Sequence, residues 1–238
     1  MLTFPEIERA LVVIAHPDDV DFGAAGTVAM MTDAGVEVSY CIVTDGDAGG
    51  FDPSVPRDSI GAIRRAEQIA AAKEVGVTDV HFLGYPDGRV EASIALRRDI
   101  TRVIRMVRPD RLICQSPVRN FTRLFASHPD HLATGEATLC AVYPDARNEF
   151  TFTELIDEGH APWVVREVWM SAGPEPNHAV DITEAFDRKM AALMRHESQM
   201  PDPEGIRQRV RAWVEATAKQ FGLGDGRLAE AFQVIDTH

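Results

Sequence analysis

Short runs rich in β-branched residues alternate along the chain with longer segments whose apolar residues recur at helical spacing. The runs ALVVIA (10–15), EVSYCIVT (37–44), DVHFLG (79–84), DRLICQS (110–116), VREVWMSA (165–172) and AFQVID (231–236) predict strands. Several are too continuously apolar to keep a wet face, which suits a parallel sheet covered on both sides. Between them, segments 24–35, 60–76, 93–109 and 129–143 predict helices, with Gly35, Gly76 and Pro109 placed where helices stop. Segments 182–199 and 204–222 predict two more, with Met190, Leu193 and Met194 as a core stripe. The βαβα rhythm gives the fold class: α/β, a Rossmann-like open, mostly parallel sheet with helices on both faces. One long irregular stretch, DGDAGGFDPSVPRDS (45–59), reads as a surface loop, and a loop of that length is usually functional or mobile.

Composition narrows the setting. A chain of 238 residues with 45% hydrophobic content suits a single domain spanning 1–238, with a core at about 8–200 and a C-terminal helix and strand at 203–238. The net charge of -13 argues against nucleic acid and anionic membrane as partners. Cys41, Cys114 and Cys140 are odd in number and sit in apolar contexts, as buried free thiols of a reducing compartment would. The N-terminal stretch has neither a basic leader region nor an apolar run long enough to span a membrane, so a cytoplasmic protein is expected. A homo-oligomer is left open.

The chemistry gathers where the first strand ends. VVIAHPDDVDFGAAGT (12–27) puts His16, Asp18, Asp19 and Asp21 just beyond the strand, at the edge where open parallel sheets bind ligands. GAAG (23–26) is not the dinucleotide fingerprint, and clustered carboxylates repel a pyrophosphate. A divalent cation resolves the conflict, because His and Asp are ordinary zinc ligands. Catalytic zinc usually takes three protein ligands, so His16 and Asp19 need a distant partner. ASHPDHLAT (126–134) supplies His128 and His131, which helical geometry from Pro129 onward would turn toward the same crevice. Asp87, in YPDG, is a candidate for holding substrate hydroxyls, although an aspartate before a glycine also suits a plain turn. Arg119 and Asn120 precede the second cluster as candidate pocket residues. His81 reads as a core or interface residue, and His178 and His196 as packing or support.

AHPDDVDFGAAGT and SHPDHLATGEATLCAVYPDAR resemble the two signature segments of the LmbE-like (PIG-L) zinc-dependent de-N-acetylases. The likeness extends to 63–77, FLGYPDG (82–88) and 179–199, and weakens at 45–59 and after about Met200. It implies a hydrolase that removes acetyl from a small-molecule N-acetylglucosamine conjugate by water attack on the amide. By the same resemblance His16, Asp19 and His131 are the Zn2+ ligands, Asp18 is the general base and His128 stabilises the oxyanion. Arg64 matches the family's substrate-binding arginine, with a solvated helix face as its plain alternative. Near several carboxylates His128 is expected to favour its charged form, and Asp21 stands next in line as base. A same-fold amidase of a thiol conjugate or specialised metabolite is the alternative enzyme. A non-catalytic metal-binding regulatory protein is the alternative of another class, against which a spare Asp18 argues.

Overall fold

The computed structural model describes residues 4–237. Seven strands form the sheet: β1 (Arg9–Ile14), β2 (Glu37–Thr44), β3 (Asp79–Tyr85), β4 (Arg111–Gln115), β5 (Glu167–Ser171), β6 (His178–Asp181) and β7 (Ala229–Asp236). Their order is β3-β2-β1-β4-β5-β7-β6. The first five are mutually parallel, whereas β7 runs antiparallel to both β5 and β6. The helices are α1 (Asp19–Gly23), α2 (Ala25–Asp33), α3 (Arg57–Glu74), α4 (Ile94–Val107), α5 (Pro129–Cys140), α6 (Thr153–Asp157), α7 (Phe186–Leu193) and α8 (Pro203–Gln220).

Alternation along the strands builds two cores. On β1, Ala10, Val12 and Ile14 enter a cluster shared with α2, α7 and α8, while Leu11 and Val13 enter another shared with α4 and α5. The strands are therefore buried on both faces, as their apolar runs require. The chain moves from β1 outward through β2 to β3, then returns to place β4 on the other side of β1. Connections leaving β1 and β4 diverge there and open a crevice at the carboxyl ends of these strands.

The sequence-based elements hold with local changes. Segment 182–199 is interrupted: only α7 is α-helical, flanked by single 3-10 turns. The pattern missed β6, four residues whose extended form depends on pairing with β7, and the five-residue α6. His178 accordingly packs from a strand, its ring 5.0 Å from Trp169. Cys41 and Cys114 are buried, but Cys140 is half-exposed. Among the described residues no helix is long and apolar enough to cross a membrane.

Candidate metal centre and active site

Two connections converge over the crevice. After β1 the backbone turns through Asp18, which has φ 98°, in the left-handed region. Aspartate tolerates that region better than most residues, at some cost in strain. Two side chains from α3 hold the turn. Gln68 Oε1 accepts the Asp18 N–H at 2.8 Å, and Arg64 Nη2 donates to Asp18 Oδ2 at 3.0 Å and to the Pro17 carbonyl at 2.5 Å. Arg64 and Gln68 are a helical turn apart and share a face. After β4, α5 begins at Pro129, and His128 is its N-cap: His128 Nδ1 accepts the Asp130 N–H at 3.2 Å. Helix α5 approaches β4 closely because residue 135 is glycine; a Cβ there would lie 2.4 Å from the Gln115 carbonyl oxygen.

His16, Asp19 and His131 meet as a triangle. His16 Nδ1 is 3.2 Å from His131 Nε2 and 3.2 Å from Asp19 Oδ2, and Asp19 Oδ1 is 3.1 Å from His131 Nε2. For the neutral rings that would hold a metal, the outer partners assign the tautomers. His131 Nδ1 lies 3.3 Å from the Ala126 carbonyl, which can only accept, so Nε2 keeps its lone pair. His16 Nε2 lies 3.1 Å from Asp130 and 3.2 Å from Asp87, so its proton sits there and Nδ1 keeps the lone pair. Asp130 is fixed in turn by the Gly88 and Val90 N–H groups at 2.7 and 3.2 Å. A carboxylate behind a ligating imidazole is the usual outer support of a metal site. Four tetrahedral bonds of about 2.0–2.1 Å put neighbouring donors roughly 3.3 Å apart, close to the 3.2 Å between His16 Nδ1 and His131 Nε2, with one oxygen of the Asp19 carboxylate near each.

Two other groupings bring possible ligand atoms within 4.8 Å of one another: His16 with His128 and His131, and His16 with Asp87 and Asp130. In the second, Asp130 already accepts two backbone N–H groups, and both acids face the protonated nitrogen of His16. They orient that imidazole.

The electrostatics favour added positive charge. Burial opposes charge on His16, but Asp19, Asp130 and Asp87 outweigh it and push the imidazole up to about 12. His131 is raised against its own burial by Asp19. Burial works against the Asp19 charge, yet His131 and His16 hold its carboxyl well below the ordinary range. Asp18 differs: burial raises it to about 6, with Arg64 limiting the rise. His128 corrects an expectation. Burial, together with His16 and His131, lowers its pKa, so the neutral ring is favoured despite the nearby acids. With Nδ1 accepting from Asp130, the neutral ring carries its proton on Nε2 as a single donor.

The remaining candidates divide. Arg64 is buried, not solvated, and its Nη groups serve Asp18, Pro17 and the Gly46 carbonyl. That arrangement corrects the solvated alternative and makes Arg64 a positioning residue for Asp18. Asp87 holds His16, and its Oδ2 stands 3.8 Å from Arg64 Nη1, beyond hydrogen-bond reach and able to accept from a hydroxyl. Asp21 is fully buried and bound by Gln68 Nε2 at 3.0 Å and His196 at 2.8 Å, behind the site. Asn120 is buried and donates to the Gly173 carbonyl. The sequence reading missed Gln68 and Asp130. The spacing of four between Arg64 and Gln68, and the position of Asp130 between two histidines, were the available signals.

Comparison with known proteins gives the family. Residues 11–142 match the GlcNAc-PI de-N-acetylase (PIG-L) family. The chain is 29% identical over 233 residues to the diacetylchitobiose deacetylase of Thermococcus kodakarensis, covering 98% of this chain and 85% of the relative. It is 33% identical over 196 residues to a probable N-acetyl-alpha-D-glucosaminyl L-malate deacetylase 2 of Bacillus cereus, covering 80% of this chain and 83% of the relative. The solved N,N'-diacetylchitobiose deacetylase from Pyrococcus horikoshii, complexed with its inhibitor MPG, superposes with a TM-score of 0.89 at 30% identity, over 98% of this chain and 85% of that one.

Proposed function

Because the chain belongs to the PIG-L family of de-N-acetylases, we propose that it is a hydrolase that removes the acetyl group from an N-acetylglucosamine conjugate, with zinc held by His16, Asp19 and His131. The observation that carries this reading is the meeting of His16 Nδ1 and His131 Nε2, 3.2 Å apart, over the Asp19 carboxylate, whose Oδ2 is 3.2 Å from the first and whose Oδ1 is 3.1 Å from the second. Two imidazole nitrogens and one carboxylate suit zinc, and three protein donors leave a fourth position open. When bound there, the ion supplies Lewis-acid polarisation of a carbonyl and makes water a better acid.

The chain's own residues supply the rest. Asp18 lies beside the triangle without belonging to it, and its raised pKa of about 6 makes it a stronger proton acceptor than an ordinary carboxylate. It takes the proton of the attacking water. Arg64 and Gln68 hold it in place for that transfer. His128 directs its Nε2–H toward the carbonyl oxygen as negative charge develops, an interaction strongest in the transition state. Asp87 accepts from a sugar hydroxyl. A purely structural or regulatory metal site would need no buried, strained carboxylate next to its ligands. Buried free thiols at Cys41 and Cys114 fit work in the cytoplasm.

The test pairs metal content with turnover. The purified protein is expected to hold about one zinc per chain and to release free amine from N-acetylglucosaminides. His131→Ala is expected to lose both. Full metal retention by that variant in elemental analysis overturns the ligand assignment.

A further inference from the structure

The triangle has two unlike sides. Asp18, Arg64 and Asp87 stand on one. Asp19 and His131 also wall a 590 Å³ cavity that none of those three residues lines. Most of its wall is apolar, built by Phe22, Met170, Pro176, Val210, Trp213 and Val214. Its far side is preformed: the Arg123 guanidinium stacks over the Trp213 ring at 4.7 Å, bracing α8 against the loop before α5. An acetyl methyl needs only a small part of this space, and cavities of several hundred Å³ hold drug-sized groups. Most of the wall lies beyond residues 11–142, outside the segment that matches the family model.

We propose that this cavity receives the acyl chain of an N-acylated amino sugar, and that the enzyme hydrolyses straight-chain acyl amides longer than acetyl. The inference rests on the deacylase reading and names its acyl substrate class. A planar trans amide holds its nitrogen substituent and its acyl chain on opposite sides of the C–N bond. With the sugar hydroxyls at Asp87 and the carbonyl at the triangle, the acyl carbons run into the cavity. The reaction balances as ordinary hydrolysis. The water oxygen bonds to the acyl carbon, Asp18 takes one of its protons, the C–N bond breaks, and that proton leaves with the nitrogen, giving an amine and a carboxylic acid, which then releases the second water proton as it ionises. Arg123, Phe125 and Ala126 of the loop before α5 line the cavity, but α8 and β7 supply more of it.

The experiment compares amine release by the zinc-loaded protein from N-acetyl-, N-butyryl-, N-hexanoyl- and N-octanoylglucosamine. Each buried methylene is worth roughly fourfold, so kcat/KM is expected to rise on the order of 10- to 100-fold from acetyl to hexanoyl, allowing for lost chain entropy. Gly23 lines the cavity, and a Cβ there would meet Ser171 Oγ at an ordinary 3.7 Å. Gly23→Leu is therefore expected to lower the hexanoyl-to-acetyl ratio about tenfold by filling the space. Should that variant fail to fold, product inhibition of the wild type decides, with hexanoate expected to inhibit at least ~10-fold more strongly than acetate. A kcat/KM that is highest for acetyl and falls steadily with chain length, or hexanoate inhibiting no better than acetate, overturns the acyl proposal and leaves the deacetylase reading standing. Amine release from none of the four overturns the deacylase reading itself, and the acyl proposal with it.

Discussion

At the scale of single residues, two side chains carry the chemistry that is easiest to test. Asp18 accepts a proton only when ionised, so kcat/KM is expected to fall as pH drops through about 6, the value to which burial raises it. Arg64 lowers that value, so its removal acts in a known direction. Arg64→Gln is expected to move the acid limb of the pH–rate profile to higher pH, and an unmoved limb would detach Arg64 from the base. His128 gives a second prediction. Its Nδ1 is occupied by the Asp130 N–H and it stands outside the 3.1–3.2 Å triangle. His128→Ala is expected to keep the metal and lose about 100- to 1,000-fold in kcat, with little change in KM, as removal of an oxyanion donor does. Loss of metal in that variant, read by elemental analysis, would make His128 a ligand.

Elements set where these residues stand. Helix α5 presents His131 to β1 because Gly135 lets it lie on the backbone leaving β4, with no room for a Cβ against the Gln115 carbonyl and the Pro117 nitrogen at 2.4 and 2.8 Å. Gly135→Ala is expected to push the helix outward, costing about 1–3 kcal/mol of stability and weakening metal retention. Thermal melting and metal analysis of the one variant check both effects. The loop after β2 obeys a similar constraint. Gly46 has φ +63°, and a Cβ there would sit 2.4 Å from Arg64 Nη1. The glycines that made 45–59 read as a plain surface loop give the Arg64 guanidinium a passage to Asp18.

At the scale of the whole molecule, the C-terminal strand closes the structure. Strand β7 lies between β5 and β6, and its Glu230 reaches back across the fold. That carboxylate accepts from the Gly26 and Thr27 N–H groups at the start of α2 and pairs with buried Lys189 of α7 at 2.7 Å. Lys189 also donates to the carbonyls of Asp21 and Phe22, so residues near the end of the chain hold α1, which carries Asp19. Breaking a buried pair from one side leaves the other charge uncompensated. Glu230→Ala is expected to cost about 3–5 kcal/mol in denaturant unfolding, and a change under about 1 kcal/mol would deny the strand this role.

The amino-acid pattern by itself determined the parallel core of the sheet, both of its covered faces, and the residue types of the candidate metal centre. Apolar periodicity records which side of an element is buried, and histidines and aspartates at strand ends record a demand for charge compensation. The pattern does not record what an element is buried against. The inward turn of Arg64, the place of β7 inside the sheet, the existence of β6 and the division of labour proposed for His128 and His131 all depend on partners many residues away. The apolar cavity belongs with them, since its wall joins Phe22 to Met170 and Trp213. Only folding brings such groups within the few ångströms at which hydrogen bonds, ion pairs and ligand bonds form, and at that range the identity of the neighbour decides what each side chain does.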